Sequence, residues 1–201
     1  MSIYRLKPAF QSLLRPLVGA LARAGIRANQ VTLAACLVSI GVGALLVLHP
    51  GQATLFVLVP TWMLLRMAMN AIDGMLAREF AQKTPLGAYL NEISDVLSDA
   101  ALYLPFGLIA GSSMTAVAVV IVLAATSELA GAVAVMTGAS RRYDGPMGKC
   151  DRAFVFGLLG LLVALGVPLA AWLNWVWAAV AALTALTIAN RIRGGLREIS
   201  R

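Results

Sequence analysis

The sequence predicts an all-α integral membrane protein with six transmembrane helices and an N-terminal amphipathic helix at the membrane interface. Hydrophobic residues make up 60% of the 201-residue chain and charged residues only 12%, whereas soluble domains average about 45–50% apolar and about 25% charged residues. The apolar residues gather into six stretches, each close to the roughly 20 residues that a helix needs to cross a bilayer. Basic residues lie almost entirely in alternate connections between these stretches. Together these observations exclude the soluble globular and disordered classes.

Residues 1–27 are expected to form the amphipathic juxtamembrane helix. Arg and Lys residues are spread through this segment and leave no uninterrupted apolar core of the kind that a secretory signal has. Apolar residues recur at helical spacing from Leu6 to Leu21, and Gly25 follows as a stop signal. A helix with one basic and one apolar face suits the membrane surface. Residues 28–201 are predicted to form one six-helix membrane domain.

The six apolar stretches are predicted at 30–48, 53–77, 86–109, 115–137, 153–171 and 174–192. Turn-forming residues separate them, and the residue alternation of a membrane β-barrel is absent. Pro60 lies inside the second stretch and is expected to kink it. Three tryptophans cluster at the outer ends of the last two stretches and predict an interfacial aromatic belt there. They are Trp172, Trp175 and Trp177.

The distribution of positive charge predicts the orientation of the chain. All Lys and Arg residues except Arg66 fall in the N-terminal segment, in two of the connections and at the C-terminus, which a six-span layout places on one side. The positive-inside rule then puts both termini in the cytoplasm, most naturally at a cell inner membrane. The net charge of +7 is therefore attributed to cytoplasmic loops that face anionic lipid headgroups, and no nucleic-acid partner is expected.

The strongest signal for a functional site is a cluster of acidic residues at the cytoplasmic ends of spans two and three. Acidic side chains are costly inside a membrane, so such a cluster indicates function. Five of the nine acidic residues fall in one short window and are Asp73, Glu79, Glu92, Asp95 and Asp99. Helical spacing places Asn70 and Asp73 on one face of span two and Asn91, Asp95 and Asp99 on one face of span three.

A short connection makes spans two and three antiparallel neighbours, so the two oxygen-rich faces are expected to confront each other. Carboxylate and amide oxygens suit a hard divalent cation such as Mg²⁺ or Mn²⁺, and Mg²⁺ commonly shares its site with substrate phosphates. Gly74 and Ala77 lack bulk, and Arg78 suits the binding of a phosphate. Packing of helices through small residues is the alternative interpretation of Gly74 and Ala77. The residues therefore indicate metal-dependent chemistry on a phosphate-bearing substrate.

The spacing of this segment resembles the signature of the CDP-alcohol phosphotransferase family, D-x2-D-G-x2-A-R-x8-G-x3-D-x3-D. The matching positions are Asn70, Asp73, Gly74, Ala77, Arg78, Gly87, Asn91 and Asp95. The six-span layout and the N-terminal amphipathic helix also resemble the family. The resemblance implies a transferase of phospholipid biosynthesis that moves a phosphatidyl or similar substituted phosphoryl group from a CDP-linked lipid, such as CDP-diacylglycerol, to an alcohol and releases CMP.

Roles for individual residues follow from the same resemblance. It implies that Asp95 is the general base and that a divalent cation is held by Asn70, Asp73, Asn91 and Asp95. It implies that the CDP group is bound by Asn29, Thr32, Asp73, Gly74, Ala77, Arg78 and Gly87. In the family a Pro-Asn-x-x-Thr segment begins span one, and the segment of this chain that contains Asn29 and Thr32 is similar to it. A helix N-cap is the alternative role for Asn29.

The sequence departs from the family pattern at two of four carboxylates, because asparagine stands at positions 70 and 91. An amide oxygen ligates a hard cation without adding negative charge. We therefore expect one tightly held metal ion and a second that arrives only with the pyrophosphate of the donor, if at all. Glu92 and Asp99 are candidates for compensating charge. A second register, with Asp95 and Asp99 as the last pair, breaks the spacing to Gly87.

Two buried charges lie outside this pattern. Arg66 shares a helical face with Asn70 and Asp73. It either neutralises Asp73 or Asp99 in partial replacement of a metal ion or forms an ion pair that fixes spans two and three. Glu128 in span four is the other buried charge, and Arg66 is one candidate partner for it.

Basic residues near the later spans predict where the acceptor binds. The resemblance to relatives that accept phosphorylated polyols assigns this role to Arg142, Lys149, Arg152 and Arg191, and makes a phosphorylated polyol a plausible acceptor. Solvated charge on the cytoplasmic side is the alternative interpretation of these residues.

Two other functions compete with an active transferase. The loss of two carboxylates is compatible with a weakened or inactive relative that acts as a lipid- or nucleotide-binding membrane protein. A relay of Arg66, Asp99 and Glu128 suggests a small transporter, although no inverted repeat supports it. The resemblance also implies a homodimer.

Overall fold

The computed structural model describes residues 7–200, and within this range the chain is helical and contains no strand. The α-helices are α1 (Lys7–Arg23), α2 (Ala28–Leu48), α3 (Leu58–Glu79), α4 (Pro85–Tyr103), α5 (Met114–Met136), α6 (Lys149–Ala164) and α7 (Leu173–Ile199). Short 3-10 helices precede α3 (Ala53–Val57) and follow α4 (Leu104–Leu108). The first six residues of the predicted N-terminal helix lie outside the described range.

Four helical segments have the length and apolar composition to cross a membrane: α2, the continuous segment Ala53–Glu79, α5 and α7. The all-helical class is confirmed by these helices. α4 differs because it carries Glu92, Asp95 and Asp99 on 19 residues, and α6 is only 16 residues long. The last two predicted stretches are separated by a loop around Gly166, whose φ of +74° is a glycine conformation, so α6 ends before the predicted boundary at residue 171.

The expected kink at Pro60 is wrong. A 3-10 helix ends at Val57 and α3 begins at Leu58, so Pro60 occupies the first turn of the α-helix. The first turn is the one place where a missing backbone N–H removes no helical hydrogen bond. Proline therefore marks the change from 3-10 to α geometry rather than a bend inside a span.

Aromatic side chains form the core at the end of the molecule opposite α1. Tyr103 stacks on Phe156 with ring centroids 3.7 Å apart, and Trp177 stacks on the same Phe156 at 5.3 Å. Trp177 is fully buried and its indole N–H donates to Ser112 Oγ at 2.9 Å. The predicted aromatic belt is therefore wrong for Trp177, whereas Trp175 is largely exposed.

A second apolar cluster joins α1 to the start of α2 and the end of α3. Val18 of α1 is fully buried against this cluster, which includes Val31, Met75 and Leu76. Arg15 of α1 also pairs with Glu79 of α3 at 3.0 Å. Helix α1 therefore covers the α2–α3 corner, where the predicted nucleotide-binding residues lie.

Close packing between α2 and α4 depends on a glycine. A Cβ at Gly43 would lie 2.2 Å from the backbone oxygen of Ala101 in α4. Small residues allow helix backbones to approach closely in membrane proteins. This contact sets the distance between the helix that carries Thr32 and the helix that carries Asp95.

We expect Gly43→Ala to destabilise the protein by about 1–3 kcal/mol, because the added methyl group meets backbone atoms that move only with the whole of α4. Gly41→Ala is the matched control, since a Cβ there meets no atom within 4 Å. Thermal unfolding of both variants in the same detergent measures the difference. Equal midpoints for the two variants would contradict the close α2–α4 contact.

Candidate active site

The candidate site lies where the start of α2, the end of α3 and the first half of α4 converge. Asp73 of α3 is buried, with 5% of its surface exposed. The Thr32 hydroxyl of α2 donates to Asp73 Oδ2 at 2.8 Å. The structure thus brings together two residues that the sequence assigned to one site from segments 41 residues apart.

Asn29 and Gly87 also meet in this site. A Cβ at Gly87 would lie 2.7 Å from Asn29 Oδ1, so only glycine leaves room for the amide of Asn29. Thr84 caps α4 by accepting from the backbone N–H of Gly87 at 2.9 Å. The N-cap of α2 is Arg27, which rules out the alternative role of Asn29 as the N-cap.

The Gly74 position gives space to Arg78 one turn later. A Cβ at Gly74 would lie 3.0 Å from both terminal nitrogens of Arg78. Arg78 is exposed and forms no ion pair with any acidic side chain among residues 7–200. Its guanidinium therefore lies over the small face that Gly74 and Ala77 create, where it is available to a phosphate.

Asp95 projects from α4 with its two oxygens in different surroundings. Oδ1 accepts from Arg66 Nη2 at 3.3 Å and from Lys149 Nζ. Arg66 Nη2 also donates to the backbone oxygen of Asp95 at 3.1 Å. Oδ2 has no such contact within the described range, so one oxygen of Asp95 is held by cations and the other is left to accept a proton or ligate a cation.

The four predicted metal ligands offer only oxygen donors, which is the chemistry of a hard cation. Asp73, Asp95 and Lys149 lie within electrostatic range of one another. Asn70 and Asn91 are half-buried on the same helices. No group of three or more His, Cys, Asp or Glu side chains is arranged to hold a metal ion among residues 7–200. In their chemistry these oxygen donors suit a hard divalent cation, whose protein ligands would be two carboxylates and two neutral amides.

Behind Asp95 lies a buried network of arginines and carboxylates. Asp99 binds Arg66 at 2.6 Å and Arg152 at 3.1 Å. Glu128 of α5 binds Arg152 at 3.0 Å and Arg191 of α7 at 3.4 Å. The side chain of Arg152 is 0% exposed and that of Arg191 is 2% exposed. The network thus connects five helices beside the candidate site: α3, α4, α5, α6 and α7.

The network reaches the surface through Arg141 in the loop before α6. Arg141 binds Glu128 at 3.3 Å and also pairs with Glu92 of α4. Burial opposes the charge of Arg141, but hydrogen bonding and attraction to Glu92 outweigh it and raise the pKa of the Arg141 guanidinium. Arg141 was not among the predicted site residues, and its proximity to Glu92 depends on how the loop folds back.

The structure separates the four predicted acceptor-binding cations. Lys149 contacts Asp95, whereas Arg152 and Arg191 bind Glu128 inside the network. Arg142 turns away and pairs with Asp144 at 2.7 Å and Glu198 at 2.6 Å. It lines a separate cleft of about 620 Å³ beside Arg193 and Arg197.

Two of the open questions about buried charges are resolved by this geometry. Arg66 binds Asp99 and Asp95, so it links α3 to α4, and among the contacts of residues 7–200 it does not pair with Glu128. The partners of Glu128 come from three later segments of the chain, and sequence reasoning missed them. The available signal was one acid within an apolar helix together with arginines at the ends of the following helices.

The chain is similar in sequence to known proteins. A sequence model of the CDP-alcohol phosphatidyltransferase family matches residues 26–188. Inner membrane protein YnbA of Escherichia coli (strain K12) is 45% identical over 196 residues, which cover 98% of this chain and 97% of that protein.

Two crystal structures share the fold. Mycobacterium tuberculosis phosphatidylinositol phosphate synthase (PgsA1) with CDP-DAG bound has a TM-score of 0.72 at 22% identity, covering 90% of this chain and 92% of that chain. The same synthase in complex with manganese and citrate has a TM-score of 0.71 at 22% identity, covering 90% and 88%. At this identity the similarity establishes a common architecture.

We expect Asp99→Asn to lower stability by about 3–5 kcal/mol, because the variant strands the buried charges of Arg66 and Arg152. Glu79→Gln is the matched control, since its pair with Arg15 is solvent-accessible on both sides and such pairs contribute at most about 1 kcal/mol. Denaturant unfolding in detergent, followed by tryptophan fluorescence, compares them. Equal losses would show that the network contributes no more than a surface pair.

Proposed function

The chain belongs to the CDP-alcohol phosphatidyltransferase family, and from this membership we propose that it transfers a phosphatidyl or similar substituted phosphoryl group from a CDP-linked lipid to an alcohol and releases CMP. It is an integral membrane protein with the fold of a CDP-alcohol phosphotransferase-type enzyme. A relative with this fold was crystallised with CDP-DAG bound, which supports CDP-diacylglycerol as the donor.

We place the active site on the cytoplasmic side of a six-span bundle. The end of α3, the start of α4, the loop before α6 and the end of α7 meet at one end of the molecule, and their basic residues are those that the positive-inside rule assigns to the cytoplasm. In this arrangement α4 and α6 complete the six spans, and α1 lies at the interface with its exposed Leu13 toward lipid. Both termini are then cytoplasmic.

The donor is proposed to bind at the α2–α3 corner. The Arg78 guanidinium, which lies over Gly74 and has no ion-pair partner among residues 7–200, would bind the pyrophosphate. Gly74, Ala77 and Gly87 would let the CDP group approach the helix backbones. The Thr32 hydroxyl donates to Asp73 Oδ2 at 2.8 Å and so restrains this carboxylate. Asn29 lies over Gly87 at the same corner. These contacts support the predicted CDP-binding set.

A divalent cation is proposed at the same site. Divalent cations serve this family, and one solved relative holds manganese. Asp73 and Asp95, with the amide oxygens of Asn70 and Asn91, would hold the cation, which would neutralise charge that develops on the donor pyrophosphate. Two carboxylates carry enough negative charge to neutralise one divalent cation. A second divalent cation would have no further motif carboxylate to neutralise it.

Asp95 is proposed as the general base. Its Oδ2 would take the proton of the acceptor hydroxyl, and the acceptor oxygen would form a bond to the lipid-bearing phosphorus. The bond from that phosphorus to the bridging oxygen would break, and its electron pair would leave with CMP. Arg66 and Lys149 hold Oδ1 and so orient Oδ2. The unequal contacts of the two oxygens, with both cations on Oδ1, are the observation that carries the proposal.

The weakened, non-catalytic relative remains the second candidate, because the same two cations lie on Asp95 and two motif carboxylates are asparagine. In that case the chain would bind a CDP-lipid without turning it over. The homodimer implied by the family resemblance remains a proposal for either function.

We expect Asp95→Asn to lower CMP release from CDP-diacylglycerol by about 100-fold or more, since a positioned general base contributes about 10²–10⁴-fold. The rate of CMP release is measured with the purified protein in detergent, in the presence of Mg²⁺ or Mn²⁺, with a panel of alcohols as acceptors. Glu79→Gln serves as the control variant, because Glu79 lies on the outer face of α3 in its pair with Arg15. CDP-lipid binding without CMP release by the wild type would favour the non-catalytic relative.

We expect Gly87→Ala to weaken CDP-lipid binding by about tenfold, equivalent to about 1.4 kcal/mol. The added methyl group collides with Asn29 Oδ1 and displaces it from the corner that the donor would occupy. Gly41→Ala is again the control, since open space surrounds that position. Titration of CDP-diacylglycerol by microscale thermophoresis gives the two affinities, and unchanged binding by Gly87→Ala would place the donor elsewhere.

A further inference from the structure

Three arginines of the buried network behind the proposed base are already paired with one carboxylate of the protein. Glu128 contacts Arg152 at 3.0 Å, Arg141 at 3.3 Å and Arg191 at 3.4 Å. Arg152 bridges from Glu128 to Asp99, which lies one helical turn beyond Asp95. The three arginines therefore converge on one oxyanion group, as they would on a bound phosphate, and that group belongs to α5.

The charges of this region balance without a ligand. Its five cationic side chains are Arg66, Arg141, Lys149, Arg152 and Arg191, and its five carboxylates are Asp73, Glu92, Asp95, Asp99 and Glu128. A divalent cation and the donor pyrophosphate would add opposite charges that offset each other. A further anionic group would have no free cation here and would meet the carboxylate of Glu128.

From this geometry, and resting on the proposed transferase function, we propose that the acceptor is an uncharged alcohol of the polyol class and that Glu128 excludes phosphorylated acceptors. In the arginine cluster, which consists of Arg141, Arg152 and Arg191, the Glu128 carboxylate takes the position that a bound phosphate would take. A phosphate must either displace Glu128 from three arginines or remain unpaired in a buried site, and both are unfavourable. An uncharged polyol needs neither, because it presents only hydroxyl groups to the site.

The cleft beside Arg142 is a second region rich in arginine. There Arg142 is paired with Asp144 and Glu198, while Arg193 and Arg197 lie on the same lining. Arg142 lines this cleft, whereas its neighbour Arg141 pairs with Glu92 and Glu128 in the network. Glu198 therefore provides a control for Glu128, since each carboxylate neutralises arginines in its own region.

The first test compares acceptors in matched pairs with the full-length wild-type chain. CMP release from CDP-diacylglycerol is measured with glycerol against glycerol 3-phosphate and with myo-inositol against inositol 1-phosphate. We expect kcat/KM to be at least about tenfold higher for the uncharged member of a pair that reacts. A higher value for the phosphorylated member would overturn the proposal.

The second test releases the arginine cluster. Glu128→Gln keeps the side-chain shape and one acceptor oxygen, and we expect it to raise kcat/KM for the phosphorylated acceptor by at least about tenfold and to bind inorganic phosphate more tightly than the wild type. Glu198→Gln should change neither quantity. A gain in Glu198→Gln instead would place the acceptor anion in the Arg142 cleft and overturn the proposal.

Inorganic phosphate binding, measured by isothermal titration calorimetry, separates this inference from the proposed function. No CMP release with any acceptor would refute the transferase function itself. A gain of phosphate binding in Glu128→Gln would still support a cluster closed by Glu128. Phosphate binding of equal strength in the wild type and in Glu128→Gln would overturn the inference that Glu128 excludes phosphate. A thermal-unfolding scan confirms that each variant is folded.

Discussion

The membrane domain depends on the pairing of buried charges around Arg152. Each ion taken out of water costs several kcal/mol unless a partner of opposite charge and its hydrogen bonds compensate. Arg152 is fully enclosed and compensated by Asp99 and Glu128. Because these two acids lie on α4 and α5 while Arg152 begins α6, the helices must assemble together or leave a charge stranded. Arg66 and Arg191 extend the same requirement to α3 and α7.

The reactive part of the molecule uses the same scaffold. Asp95 and Asp99 lie one turn apart on α4, and the guanidinium of Arg66 contacts both. The position of the proposed base is therefore linked to the network that stabilises the bundle. On the other side, the close contact at Gly43 lets α2 approach α4, and Thr32 of the same helix α2 binds Asp73 of α3. Small residues and paired charges thus place the two motif aspartates from two helices.

Charge compensation connects the unusual residues of this chain. Asparagine at positions 70 and 91 removes negative charge from the motif, and the contacts of Lys149 and Arg66 with Asp95 add positive charge beside it. Glu128 has the complementary effect on the arginine cluster, which it neutralises from within the protein. The site is close to electrically balanced before any substrate enters.

Local pattern in the sequence was sufficient to predict the helical class, the order of the apolar helices and the acidic faces of α3 and α4. The resemblance to the family added Thr32 to the same site as Asp73. Hydrophobic length and motif spacing are properties of neighbouring residues, so they can be read along the chain. The burial of Trp177, the place of Pro60 in a first helical turn and the separation of Arg142 from Arg152 and Arg191 were decided only by the tertiary structure. The partners of Glu128 belong with these, since Arg152 and Arg191 lie 24 and 63 residues further along the chain. Which cation meets which carboxylate depends on helix packing and loop direction, and no local pattern encodes these.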